Sequence, residues 1–287
     1  MQAASAVTEV VICADDYAMT PEISAGIIAL ADQGRISATS AMTLSPYWPE
    51  SARQVSALQQ KIDVGLHLDW TSDFALQQGF GQPLGALMLR SLLRHLRRQD
   101  VIGQIERQLD LFEQHANAAP DHIDGHQHVH QFPVLREALI EVLSRRYASS
   151  QRPWLRVAHV VCKPWELKAR IINAMGARAL RTLAERHGLP HSQHLSGVYD
   201  FMGDTERYRR QLQAWLGQLA PATVLMCHPA QGLNTEAPFP QARLREQDVL
   251  SHPALDALLN ERHIRIVRGS RLFARPSRPA PPLTSPA

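Results

Sequence analysis

Nine consecutive residues, His122-Ile123-Asp124-Gly125-His126-Gln127-His128-Val129-His130, hold four histidines and an aspartate. Imidazole nitrogen and carboxylate oxygen are donors that divalent metal ions accept from proteins. Two other segments bring the same groups to apolar runs: Asp15-Asp16 after Val10-Val11-Ile12-Cys13, and His67 inside Gly65-Leu66-His67-Leu68. The chemistry these types support is activation of water by one bound divalent ion. His228, after the apolar run Thr223–Cys227, adds a group that could donate a proton.

Each group also has a plainer reading. Adjacent carboxylates at a strand end can divide labour, one holding metal while the other accepts a proton from water. Aspartates after strands also act simply as loop caps. Read as extended chain, His126, His128 and His130 project to one face. That suits two metal ligands, or one ligand with a substrate contact; the rival is a surface histidine tract. Asp124 could orient a ligand histidine, and Asp69 could do so if the strand continues past His67. His228 could protonate a leaving amine or be a satisfied strand-end histidine.

These groups need elements to hold them. Glu9–Cys13, Ser37–Leu44, Asp63–Leu68, Asp121–Gly125, Leu155–Val161, Thr223–Cys227 and Ile264–Val267 read as strands. Between them, Thr20-Pro21-Glu22 reads as N-cap, N1 proline and acidic first turn of a helix that Gly34 stops. Further helices are expected over Leu84–His115 with a break near Gln99-Asp100, Pro133–Arg146, Glu166–His187, Asp204–Leu219 capped by Asp204, and Pro253–Asn260. Alternation of this kind makes an α/β fold with mostly parallel strands. Asp15, Asp16, His67, His126, His128 and His228 all follow strands, and the C-terminal edge is the functional face of such folds.

Bulk properties narrow the function. With 287 residues the chain suits a single α/β barrel, expected over residues 8–273, between a flexible 1–7 and a disordered proline-rich tail, 274–287. Net charge is +3, and the arginines of Leu89–Arg98 read as a solvated helix face, so no nucleic-acid partner is expected. No apolar run reaches bilayer length and no signal peptide is visible, so a cytoplasmic protein is expected. Cys13, Cys162 and Cys227 are scattered, odd in number and without a CxxC pair, which suits a reducing compartment. Phosphate-loop, GxSxG and HExxH patterns are absent. A homodimer is the default expectation for oligomeric state.

Four blocks together resemble the YdjC-like carbohydrate deacetylase family, which includes chitooligosaccharide deacetylases and a hopanoid-biosynthesis-associated branch. They are ADDYAMT (14–20), GLHLDW (65–70), HIDGHQHVHQFP (122–133) and MCHPA (226–230). The resemblance implies a distorted TIM-like (β/α) barrel related in chemistry to NodB-type polysaccharide deacetylases. It also implies one divalent ion held by Asp16, His67 and His126, with Asp15 as general base and His228 as general acid. His128 would be a pocket residue near metal or substrate. Four positions depart from the family pattern: Tyr17 and Ala18 stand where DDFG has phenylalanine and glycine, Ala230 where HPG has glycine, and Gln127 where HHHVH has histidine.

The expected reaction is metal-assisted hydrolysis of the N-acetyl group of a sugar or glycoconjugate, with Zn²⁺ or Mg²⁺ as the ion. Trp70, Tyr17, Trp48, Tyr47 and Phe132 could stack on a sugar ring or be core. Arg243 and Arg245, read as loop residues after His228, could meet an anionic substrate group. The competing readings are another barrel metallo-amidohydrolase, whose class usually opens with HxH, and a non-catalytic metal- or carbohydrate-binding protein.

Overall fold

The structure, a computed structural model, describes residues 7–160 and 167–273. Among the described residues eight strands form one sheet: β1 (Thr8–Tyr17), β2 (Ala38–Ala41), β3 (Asp63–Leu68), β4 (His122–Gly125), β5 (Trp154–Leu155), β6 (His194–Ser196), β7 (Thr223–Cys227) and β8 (Ile264–Ile266). Their order is β5-β4-β3-β2-β1-β7-β6, with β8 also on β1, and every pair is parallel. The sheet curls, and parallel bridges Leu155–His191 and Val160–Leu195 join the β5 end to the β6 end. The expectation of a distorted TIM-like α/β barrel is met.

Strand burial explains the composition. Val10, Val11, Ile12 and Cys13 are fully buried, as expected of a parallel strand covered on both faces. Helices pack outside: Ile23, Ile27 and Leu30 of Pro21–Asp32 and Leu109 and Phe112 of Arg98–Ala116 enter one continuous apolar cluster with Ile12, Leu66 and Leu225. Thr20 caps the first of these helices, its hydroxyl accepting from the Ile23 N–H, and Gly34 follows at φ 68. Asp204 caps Thr205–Leu216 by accepting from the Arg207 N–H.

Several boundaries differ from expectation. The break in the long helical region lies at 93–97, between Leu84–Leu92 and Arg98–Ala116, where Arg94 turns left-handed at φ 55. The strand read over Leu155–Val161 is only Trp154–Leu155, with an isolated bridge at Val160. The helix read over Glu166–His187 is described from Leu167 and is interrupted over Asn173–Ala177, where Gly176 has φ 125. Helix Pro240–Ser251 occupies the segment read as a loop. Cys162, the tail 274–287 and the first six residues lie outside the described residues.

Candidate active site and metal centre

Asp15 and Asp16 close β1, and a regular strand would send them to opposite faces. It does not, because Ala14 and Tyr17 pair with Thr39 and Ala41 of β2, so β1 carries one extra residue there. This bulge, with Asp16 at φ 72, turns both carboxylates into the same cavity, where they are 3% and 2% exposed. Ala18 follows at φ 69, the left-handed region that glycine adopts freely and a side chain adopts at a cost of about 1 kcal/mol. That is where the family pattern has its glycine.

His67 of β3 lies directly opposite Asp124 of β4 in the sheet register. Its Nδ1 meets the Asp124 carboxylate at 2.6 Å, which leaves Nε2 facing Asp16 at 3.5 Å. Gly65, two residues before, is required by its neighbour: a Cβ there would lie 2.4 Å from the His122 ring, which stacks on Trp154 at 4.3 Å. Burial lowers the His67 pKa, but the charge and hydrogen bond of Asp124 outweigh it and push it up to about 9. Surroundings that attract a proton this strongly also attract a cation.

The histidine segment is not extended. Residues 126–131 form a tight 3₁₀ turn in which Gln127 and His128 are left-handed, at φ 53 and 61. The three alternate histidines therefore separate. His126 brings Nδ1 to 3.4 Å from Asp16 Oδ1, and His128 lines the cavity. His130 turns into the core, where its Nε2 donates to the Arg156 carbonyl at 2.7 Å, and burial pushes its pKa down to about 4.

Asp16, His67 and His126 offer three donor atoms within 4.8 Å of one another. Asp16 Oδ1 is buried without a hydrogen-bond partner, facing the two imidazole nitrogens at 3.4 and 3.5 Å. Donors about 2.1 Å from a tetrahedral ion stand about 3.4 Å apart. The residues thus fit one divalent ion, and the orphaned oxygen is the atom it would satisfy. The other Asp16 oxygen accepts from Arg243 Nη2 at 2.5 Å. Burial raises the Asp16 pKa, but Arg243 and His126 more than reverse that and hold the carboxyl well below its ordinary value.

Two functional neighbours escaped sequence reasoning. Arg156, fully buried beyond β5, grips Asp15 with both terminal nitrogens at 2.6 and 2.9 Å and reaches Asp124 at 3.2 Å. Its only sequence signal is a charge inside the apolar run Trp154-Leu155-Arg156-Val157, where a buried, paired group is the physical default. Glu246, also fully buried, accepts from the Tyr199 hydroxyl at 2.6 Å, the Tyr208 hydroxyl at 3.3 Å and the His228 N–H at 2.6 Å. His228 sits between it and Asp15, with Nδ1 4.0 Å from Glu246 and Nε2 3.9 Å from Asp15. Burial lowers the His228 pKa against the opposing pull of Glu246, Asp15 and Asp16.

Asp15, Asp16, His67, His126, His128 and His228 line one cavity of about 650 Å³, whereas Asp124, His130, Arg156 and Glu246 lie behind its lining. Its wall is apolar: Leu84, Met88, Phe132, Ile171, Met175 and Phe239 surround the polar floor. Arg243 lines it as expected, but from helix Pro240–Ser251 and committed to Asp16 rather than left for an anionic group. Arg245 donates instead to the Phe201 carbonyl. Tyr17 and Trp70 do not line the cavity. Tyr17 is buried with its hydroxyl on the Ser51 carbonyl at 2.8 Å, and Trp70 packs edge-on against Phe80. Trp48 is likewise core, stacked on Phe112. Asp69 is no partner for His67; it accepts from the N–H groups of Thr71 and Ser72 and shapes a turn.

Fold and site together define a parallel α/β barrel with an aspartate and two histidines converging at the C-terminal ends of its strands. Residues 9–261 match the YdjC-like protein family, and the chain belongs to that family. Among curated relatives, a chitooligosaccharide deacetylase of Serratia marcescens is 26% identical over 268 residues, covering 88% of this chain and 94% of its own. A carbohydrate deacetylase of Enterococcus faecalis is 22% identical over 269 residues, covering 89% and 95%. Among solved structures, an Enterococcus faecalis protein named for cellobiose-phosphate cleavage superimposes with a TM-score of 0.71 at 20% identity, covering 94% of this chain and all of that one. That likeness establishes the shared fold.

Proposed function

We propose that this chain is a metal-dependent carbohydrate deacetylase that hydrolyses the N-acetyl group of an amino sugar or glycoconjugate. One observation carries the reading: the Asp16, His67 and His126 donors converge on an orphaned buried oxygen, in the same cavity as Asp15 and His228. A divalent ion held there, with Zn²⁺ best suited to the two imidazoles, supplies Lewis acidity toward the acyl carbonyl and lowers the pKa of water.

The chain's own groups do the rest. Asp15, fixed by the two-pronged grip of Arg156, accepts the proton of the attacking water. Water oxygen bonds to the acyl carbon, the C–N bond breaks, and His228 delivers a proton to the leaving amine, so acetate and free amine result. Burial lowers the His228 pKa, and the charge of Glu246 behind the ring opposes that and limits the cost of the imidazolium. Arg243 Nη1, buried without a partner, and His128 supply polar contacts to the substrate. The apolar wall favours a glycoconjugate with an apolar portion over a purely polar oligosaccharide. The free, buried Cys13 and Cys227 suit a reducing cytoplasm.

The test is acetate release by metal-free protein from a panel of N-acetylated sugars and alkyl glycosides, with Zn²⁺, Mg²⁺ or nothing restored. Metal-dependent acetate from at least one member is expected. Stoichiometric metal binding without acetate from any member would sink the reading.

A further inference from the structure

Helix Leu84–Leu92 presents apolar side chains in two directions. Leu84 and Met88 line the cavity, whereas Leu89, Leu92 and, just beyond the helix, Leu93 are 58%, 55% and 55% exposed. At about 100° per residue, Leu92 falls beside Met88 and Leu89 and Leu93 follow farther round. The apolar sector therefore runs on from the cavity wall to the outer surface. Scattered exposed leucines are ordinary, but an adjoining set marks a contact surface. Ile171 and Phe239 extend the same property, lining the cavity while 45% and 53% exposed.

The charges carried by this segment itself are of one sign, and acidic neighbours meet it only from other turns and helices. Residues 84–98 contain Arg90, Arg94, Arg97 and Arg98 and no aspartate or glutamate. The Arg94 and Arg97 side chains are 66% and 84% exposed and meet Glu137 and Asp100 only at 3.8 and 3.7 Å. Arg90 donates to the Gln82 side chain, and Arg98 alone is closely paired, with Glu141. Exposed leucines flanked by arginines are the composition of a segment lying in a membrane interface. There the apolar groups enter the acyl boundary and the guanidiniums meet phosphate. Among the described residues no helix is long and apolar enough to cross a membrane, so such attachment is peripheral.

We infer that the Leu89–Leu92–Leu93 face seats the protein reversibly on an anionic lipid bilayer, with the cavity mouth beside the lipid surface. Delivery of an amphiphilic substrate from that surface rests on the deacetylase reading; the docking does not.

The test is co-sedimentation of the full chain with phosphatidylcholine vesicles, and with the same vesicles containing phosphatidylglycerol. Wild type is expected to sediment with the anionic vesicles only, and less as salt rises. The triple variant Leu89→Ser, Leu92→Ser, Leu93→Ser should lose about tenfold or more in vesicle affinity while keeping its metal content and thermal transition. The charge variant Arg94→Gln, Arg97→Gln, wholly at the surface, should lose about fivefold or more. Absence of wild-type binding, or binding that neither variant weakens, overturns the inference. So does sedimentation velocity showing a dimer that the triple variant dissociates, since a second copy would then cover the face. Each readout stands even if no substrate is deacetylated.

Discussion

The floor of the cavity is made by strand ends and its wall by helices and loops, and the two are stabilised differently. On the floor and just beneath it, Asp15, Asp16, His67 and Asp124 are almost without solvent, and each meets an opposite charge: the carboxylates meet Arg156, Arg243 or an imidazole, and His67 meets Asp16 and Asp124. Three buried carboxylates there face two buried guanidiniums, which leaves one negative charge for a cation or a proton to balance. On the wall, Leu84, Met88, Ile171 and Phe239 need no partner, and two of them are half in solvent. Floor residues therefore share partners, so their substitutions couple. Wall residues can change one at a time.

The largest expected effect breaks the floor chemically and not structurally. Asp15→Asn keeps the shape and one of the two oxygens that Arg156 holds but removes the proposed base, so acetate release should fall by about 10²–10⁴-fold with metal content unchanged. Turnover within a few-fold of wild type would remove Asp15 from the base role. Next, Arg156→Met leaves buried Asp15 without its close cation and Asp124 with His67 alone, and should cost about 3–5 kcal/mol of stability, read by denaturant unfolding. A loss below about 1 kcal/mol would mean that the floor tolerates unpaired charge.

The third effect is pH-dependent. His130 is neutral in the fold, with its pKa near 4 against an ordinary 6.5. Between those values the unfolded chain takes up a proton that the folded chain refuses. Its stabilising contribution is complete above about pH 6.5 and is lost as pH falls toward 4, by up to about 3 kcal/mol. His130→Gln retains a donor for the Arg156 carbonyl and should flatten the fall in Tm between pH 7 and pH 5. An unchanged slope would assign that fall to other groups. The smallest effect belongs to the wall. Met88→Ala should raise KM for an N-acetylglucosamine alkyl glycoside about three- to tenfold, with kcat and Tm little changed. A matching change for the free sugar would show that the wall does not read the apolar portion.

What the sequence revealed follows the same division. β3 and β7 were legible residue for residue, because strands buried on both faces need largely apolar runs. Asp15, Asp16, His67, His126 and His228 were legible because they terminate or interrupt such runs. The reading of His126, His128 and His130 as alternating failed because left-handed Gln127 and His128 coil the chain, and nothing in their side chains announces it. Helix Pro240–Ser251 was hidden for a related reason. Its buried positions, Ala242, Arg243, Glu246, Val249 and Leu250, have helical spacing, but two of the five are charged. A helix that carries ions inward has no apolar stripe to find, so Glu246 went unseen and Arg243 was read as a loop residue.

The bulge in β1 has a consequence for how this protein can vary. A sequence comparison scores residue identity, yet here the length of the chain between Ala14 and Tyr17 decides how many carboxylates enter the cavity. Deleting a single residue in that interval would restore strict alternation and send one aspartate outward. The barrel would keep its strand order and lose either the proposed base or the proposed cation ligand. Along this strand, a frame of one residue separates an enzyme from an inert scaffold.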